Sequence, residues 1–112
     1  MHELSIVMGI IDIAEKEAKM AGVSIVEEIE LEIGLLSGVE MEALEFAWNH
    51  AIKNTILSEA KKTIIRPEGS GVCLDCNSEF RIEHLFDPCP HCQSYFINIK
   101  KGKELKVKSI VV

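Results

Sequence analysis

The pattern that most constrains this 112-residue chain is Cys73-x2-Cys76, twelve residues from Asn77 to Pro88, then Cys89-x2-Cys92. Two residues between cysteines let one tight turn aim both sulfurs at a single ion. The longer gap lets a hairpin bring a second such turn opposite, closing a tetrahedron of thiolates. Pro88 and Pro90 stiffen the second turn by fixing φ. Asn77 suits a left-handed backbone after Cys76. Gln93 is a poorer residue for the matching place, so some strain or a different turn is expected there. Phe80, Ile82, Leu85 and Phe86 are expected to form a miniature core between the two turns. Four sulfur ligands leave no open coordination position, which makes the site structural rather than catalytic.

The metal reading depends on the redox setting. The start Met-His-Glu has no basic n-region or cleavage site, so no signal peptide is evident, and no run approaches the roughly 20 apolar residues of a membrane span. A cytoplasmic, reducing location is expected, where four cysteines go to metal rather than to disulfides. Thiolates alone do not separate zinc from iron. Zinc is expected because aromatic residues are only 5% of the chain, the shell around the cysteines is thin in them, and nothing else points to electron transfer. His84 and His91 read as surface histidines, with tuning of the metal as the sharper alternative.

The rest of the chain reads as a small α+β fold. Leu4, Val7, Met8, Ile11, Ala14, Ala18 and Ala21 recur at steps of three and four, the stripe of an amphipathic helix, and Gly22 fits its C-terminal stop. The period then changes to two: Ile29, Leu31, Ile33 and Leu35 alternate with Glu28, Glu30 and Glu32, as in a strand with one buried face. A second helix is expected over about 40–54, burying Leu44, Ala47, Trp48 and Ala51, and a strand over 63–66 ends at Pro67. Residues 68–71, Glu-Gly-Ser-Gly, read as a hinge. Tyr95–Lys100 and Glu104–Val112 look like a hairpin closed around Gly102, the last strand returning to the first sheet. The expectation is a two-helix, three-stranded domain (1–68 plus 98–112) interrupted by a zinc-ribbon-like module (69–97).

Charge is distributed unevenly. Residues 1–50 hold eleven acids opposed only by Lys16 and Lys19. Such a half disfavours a nucleic-acid backbone and suits a cation or a basic protein surface, or is simply a solvated acidic face. At its start, a large residue after Met1 keeps that methionine in place. Its free amine, the His2 backbone nitrogen and the His2 imidazole can then chelate one ion in adjoining five- and six-membered rings. Three nitrogens in one plane suit Ni(II) or Cu(II), and Glu3 can add a carboxylate or orient the imidazole. By residue type alone this is a short motif, and Glu3 equally suits the positive end of a helix. No nucleophile–base pair and no phosphate loop is present, so an enzyme is not expected. A zinc-ribbon nucleic-acid-binding protein and a rubredoxin-like iron protein remain open alternatives.

Met1-His2-Glu3 together with the cysteine spacing, Glu32-Ile33-Gly34-Leu35-Leu36-Ser37-Gly38-Val39, Phe46-Ala47-Trp48 and Gly102-Lys103-Glu104-Leu105 resembles the HypA/HybF hydrogenase nickel-incorporation proteins, in one order over essentially the whole chain. The resemblance implies a nickel metallochaperone, with Ni(II) on Met1, His2 and Glu3 and structural Zn(II) on Cys73, Cys76, Cys89 and Cys92. It implies as partners a HypB-type nickel-binding GTPase and the large subunit of [NiFe]-hydrogenase. Some relatives supply urease, and homodimers, including domain-swapped ones, occur in the family. No nucleic acid and no membrane is implied. Trp48 stands where phenylalanine is more usual, and Gln93 where glycine is.

Overall fold

The computed structural model describes residues 2–112. Along the chain run α1 (Glu3–Ala21), β1 (Glu28–Ile33), α2 (Met41–Ala51), β2 (Lys61–Ile65), β3 (Gly69–Cys73), β4 (Glu79–Ile82), β5 (Ile97–Lys101) and β6 (Leu105–Val111). The strands form two three-stranded sheets, β2-β1-β6 and β4-β3-β5, giving the α+β class expected from the sequence. Two compact units divide the chain, one of residues 1–31, 39–64 and 107–112, the other of residues 32–38 and 65–106. Among the described residues no helix is long and apolar enough to cross a membrane.

In the first unit α1 turns Val7, Ile10, Ile11, Ala14 and Ala18 inward, and α2 contributes Leu44 and Trp48. Val26, Ile29, Leu31, Val39 and Leu57 complete the core. The buried arc of α1 lies further round the helix than the apolar stripe suggested: Ile10 is in, whereas Leu4 and Met8 are about half exposed. Gly22 stops the helix in a left-handed conformation (φ 71°), and the Val23 amide reaches back to the Ala18 carbonyl at 3.0 Å, closing off the last turn. On α2, Trp48 packs beneath the Lys62 ammonium, 5.1 Å from its ring, and Lys62 also pairs with Glu45.

The acidic strand finds its counter-charges within the fold. Lys106 and Lys108 on β6 lie 3.3 and 3.7 Å from Glu32 and Glu30 on β1. The uneven charge along the sequence is thus partly answered by strand pairing. Each such surface pair adds no more than about 1 kcal/mol.

The second unit is organised around close backbone approaches. The Gly34 amide donates to the Glu104 carbonyl (2.8 Å) and the Leu36 amide to the Gly102 carbonyl (2.6 Å). The Arg66 guanidinium spans the Ile33 and Gly34 carbonyls. A Cβ at Gly34 would fall 2.1 Å from the Gly102 carbonyl oxygen, and Gly102 itself sits at φ 113°. Two of the sequence motifs that carried the family resemblance, Glu32–Val39 and Gly102–Leu105, therefore meet here, and glycine is required at Gly34 and Gly102. Gly34→Ala should destabilise the protein by about 2–4 kcal/mol through overlap and the loss of both backbone bonds. Urea denaturation followed by circular dichroism checks this; a change below about 0.5 kcal/mol would refute the packing described.

Two sequence expectations are corrected. Residues 69–71 are not a hinge but the first part of β3, paired with β4 from Gly69↔Ile82 to Val72↔Glu79 and with β5 on its other edge. Their glycines serve close packing: a Cβ at Gly69 would meet Leu36 Cδ1, and one at Gly71 would meet Ile82 Cδ1, at 2.5 and 2.6 Å. Nor do the last two strands form a hairpin with each other. β5 pairs with β3, while β6 joins β1 as the sequence suggested for the terminal strand. The carbonyls of Gly102 and Glu104 are taken by Leu36 and Gly34, which occupies the place a hairpin closure would need.

Candidate metal centres

Each cysteine pair sits in the same kind of turn. In the first, the Asn77 amide donates to the Cys73 carbonyl (2.8 Å) and the Cys73 amide to the Ser78 carbonyl (2.9 Å). In the second, the Gln93 amide donates to the Cys89 carbonyl and the Cys89 amide to the Ser94 carbonyl, both at 2.8 Å. Asn77 and Gln93 occupy left-handed backbone at φ 62° and 68°. Gln93 therefore adopts the same turn as Asn77 rather than a different one. A side chain such as glutamine carries about 1–2 kcal/mol of strain there.

These turns bring four sulfurs together, all within 4.8 Å of one another. Cys73 and Cys92 Sγ are 3.5 Å apart and Cys76 and Cys89 Sγ 3.6 Å apart, and none is in a disulfide. Zinc–sulfur bonds of about 2.3 Å in a tetrahedron place the sulfurs about 3.8 Å apart, so the group fits an ion held by four thiolates. Cys73 and Cys89 are buried, while Cys76 and Cys92 lie at the surface. Hydrogen bonds involve two of the sulfurs: Cys76 Sγ donates to the Ser78 hydroxyl oxygen at 3.2 Å, and the His91 amide donates to Cys89 at 3.4 Å. Hydrogen bonding to the Ser78 side chain and amide lowers the Cys76 thiol to about 6. At Cys92 the Ser94 amide draws the thiol down, but the neighbouring sulfurs of Cys73, Cys76 and Cys89, with partial desolvation, outweigh it and push the group up to about 12. Four thiols this close cannot all ionise without a cation between them, and a divalent metal held there would supply that charge.

Neither His84 nor His91 belongs to this group. His84 lies 3.6 Å from Asp87 at the surface. The expected miniature core is only partly present. Ile82 is 2% exposed, but Leu85 and Phe86 are 43% and 86% exposed. The Asp87 carboxylate accepts the Glu83 and His84 amides (3.1 and 3.0 Å), bending the segment so that these two side chains face solvent.

At the other end of the chain, Met1 lies outside the described residues. His2 is exposed and stands at the N-cap of α1, with no cap hydrogen bond from its side chain, so the imidazole is not committed to the helix end. Glu3 opens the helix, and its Oε2 accepts the Glu40 amide at 3.0 Å. That hydrogen bond holds the Glu3 carboxyl below the usual carboxylate range. Glu40 in turn caps α2, accepting the Glu42 amide at 3.2 Å. The sequence reading missed Glu40 as the anchor of Glu3, and no local signal could have revealed a contact spanning 37 positions.

Comparison with known proteins decides the family. The model described as hydrogenase/urease nickel incorporation, metallochaperone, hypA matches residues 1–112. The chain belongs to the HypA family. The hydrogenase maturation factor HypA of Parabacteroides distasonis is 55% identical over 114 residues, covering 100% of this chain and 97% of that one. The corresponding Geobacter metallireducens protein is 41% identical over 112 residues, covering 100% and 99%. The solution structure of the Ni metallochaperone HypA from Helicobacter pylori superposes with a TM-score of 0.69 at 25% identity, covering 99% of this chain and 97% of its own. A second HypA solution structure gives 0.72 at 25% identity, covering 99% and 95%. Family membership makes the protein a nickel metallochaperone and maturation factor rather than an enzyme.

Proposed function

We propose that this chain carries Ni(II) as cargo on Met1, His2 and Glu3, in the maturation of [NiFe]-hydrogenase, while zinc on Cys73, Cys76, Cys89 and Cys92 holds the second unit together. The family match over all 112 residues carries the reading. Hydrogenase is favoured over urease as the client because the most similar relatives described above are hydrogenase maturation factors. A HypB-type GTPase and the hydrogenase large subunit are the proposed partners, and the cytoplasm the proposed setting.

The chain's own residues suit capture and release. The His2 side chain makes no helix-cap hydrogen bond that would have to break before it binds an ion. Glu3 is held by the Glu40 amide and stays charged at neutral pH, so a carboxylate is ready beside the imidazole. The donors lie at the chain start, where ordering them on binding offsets part of the affinity. Moderate affinity and few ligands allow transfer by exchange with an acceptor's own ligands. When bound, the zinc supplies structural cross-linking, and with four thiolates it leaves no position for cargo.

Nickel and protons compete for the same nitrogens. Titrating Ni(II) into the zinc-loaded chain should show affinity falling at least about tenfold between pH 8 and pH 6. Because Glu3 remains a carboxylate throughout that range, the fall belongs to the nitrogen donors. His2→Ala should remove both the binding and its pH dependence. Tight nickel binding by His2→Ala would sink the assignment.

A further inference from the structure

The two cysteine turns share their backbone bonding, yet the serines at matching places make different contacts. Ser78, two residues after Cys76, sets its hydroxyl against the sulfur of its own turn. Ser94, two residues after Cys92, reaches across instead. Its hydroxyl donates to the Asp75 carboxylate, which lies between Cys73 and Cys76, and its Oγ accepts the Phe96 amide at 3.1 Å.

We propose that Asp75 and Ser94 form a latch across the metal site, positioning the two turns so that the four sulfurs keep tetrahedral spacing. This rests on the zinc assignment above. Each turn closes internally through backbone bonds, and those bonds do not fix one turn against the other. The Leu74 amide crosses to the Phe96 carbonyl at 2.8 Å, which aligns the strand ends. The Asp75–Ser94 bond crosses next to the ligands themselves, one residue before Cys76 and two after Cys92.

Charge makes the placement informative. Four thiolates around a divalent ion leave a net negative centre, so a neighbouring carboxylate is disfavoured unless donors hold it. The Ser94 hydroxyl is such a donor, and a hydrogen bond to a charged acceptor is stronger than a neutral one. The Phe96 amide fixes that hydroxyl's oxygen in turn. Neither residue is among the four sulfur ligands; both act through the cysteines on either side.

The test follows zinc transfer from the zinc-loaded full chain to excess chromophoric chelator, beside the visible spectrum of the Co(II)-substituted protein. Asp75→Ala and Ser94→Ala should each speed release by about tenfold and change the Co(II) ligand-field bands. The double variant should release no faster than the faster single, because both remove one bond. Ser94→Thr keeps the hydroxyl and should match the parent in rate and spectrum. If Ser94→Ala yields no zinc-loaded protein, Ser94→Thr and Asp75→Ala decide. Parental release rates in the variants, independent effects in the double variant, or rapid release from Ser94→Thr would overturn the latch alone. A parent chain that holds no zinc would overturn the metal assignment, and the latch with it.

Discussion

Removing zinc from this protein, by chelation or by Cys73→Ser, should unfold the unit of residues 32–38 and 65–106. That unit buries few large apolar side chains: Ile33, Leu36 and Ile82 are inside with Cys73 and Cys89, while Leu74, Phe86, Tyr95 and Phe96 are each more than 60% exposed. At about 1.5–3 kcal/mol for each buried aliphatic side chain, burial contributes several kcal/mol. Binding of zinc to a four-ligand structural site is worth roughly 10–16 kcal/mol at neutral pH, more than those few buried side chains contribute. Amide signals of residues 65–106 in a nitrogen–proton spectrum should collapse on zinc removal and return when zinc is restored. Retained dispersion in the metal-free chain would show that the packing is sufficient alone. Acid should mimic chelation, since protons compete with the metal for the thiolates.

The second large effect is at the chain start. Adding even a short extension before Met1, or acetylating its amine, should abolish high-affinity nickel binding and leave the zinc content unchanged. An extension converts the terminal amine to an amide, and the nitrogen array loses the donor that starts the chelate. His2 and Glu3 would persist, and two ligands without the amine should bind at least about a hundredfold more weakly, since each lost ligand forfeits one coordinate bond held in place by its neighbours. Equilibrium dialysis of tagged and untagged protein, with both metals measured, makes the comparison. Normal nickel uptake by the extended chain would be incompatible with the proposal.

What could be read from the sequence was what is local. Two-residue spacing sets a turn by itself, so Cys73, Cys76, Cys89 and Cys92 could be grouped together, and their sulfurs do lie side by side. The periods of three to four and of two likewise placed α1 and β1, and Gly22 marked a helix end that the structure confirms. Long-range packing was not legible. Gly69 and Gly71 looked like flexible linker because a glycine demanded by a neighbouring side chain, here Leu36 or Ile82, has no distinct composition. The pairing of β5 away from β6 depends on Gly34 and Leu36, more than sixty residues upstream, taking the carbonyls beside the turn. Leu85 and Phe86 were apolar but faced solvent, since the Asp87 bend sets their direction. The Glu3–Glu40 bond, which orders the one carboxylate next to His2, has the same long-range character.

Nickel-edge X-ray absorption on zinc-loaded protein with an unmodified Met1 and one equivalent of Ni(II) asks most directly where the cargo sits. Delivery from the chain start predicts a first shell of nitrogen and oxygen neighbours with no sulfur, and a zinc edge still showing four sulfurs. A sulfur shell around nickel would place the cargo on the cysteines and contradict the account.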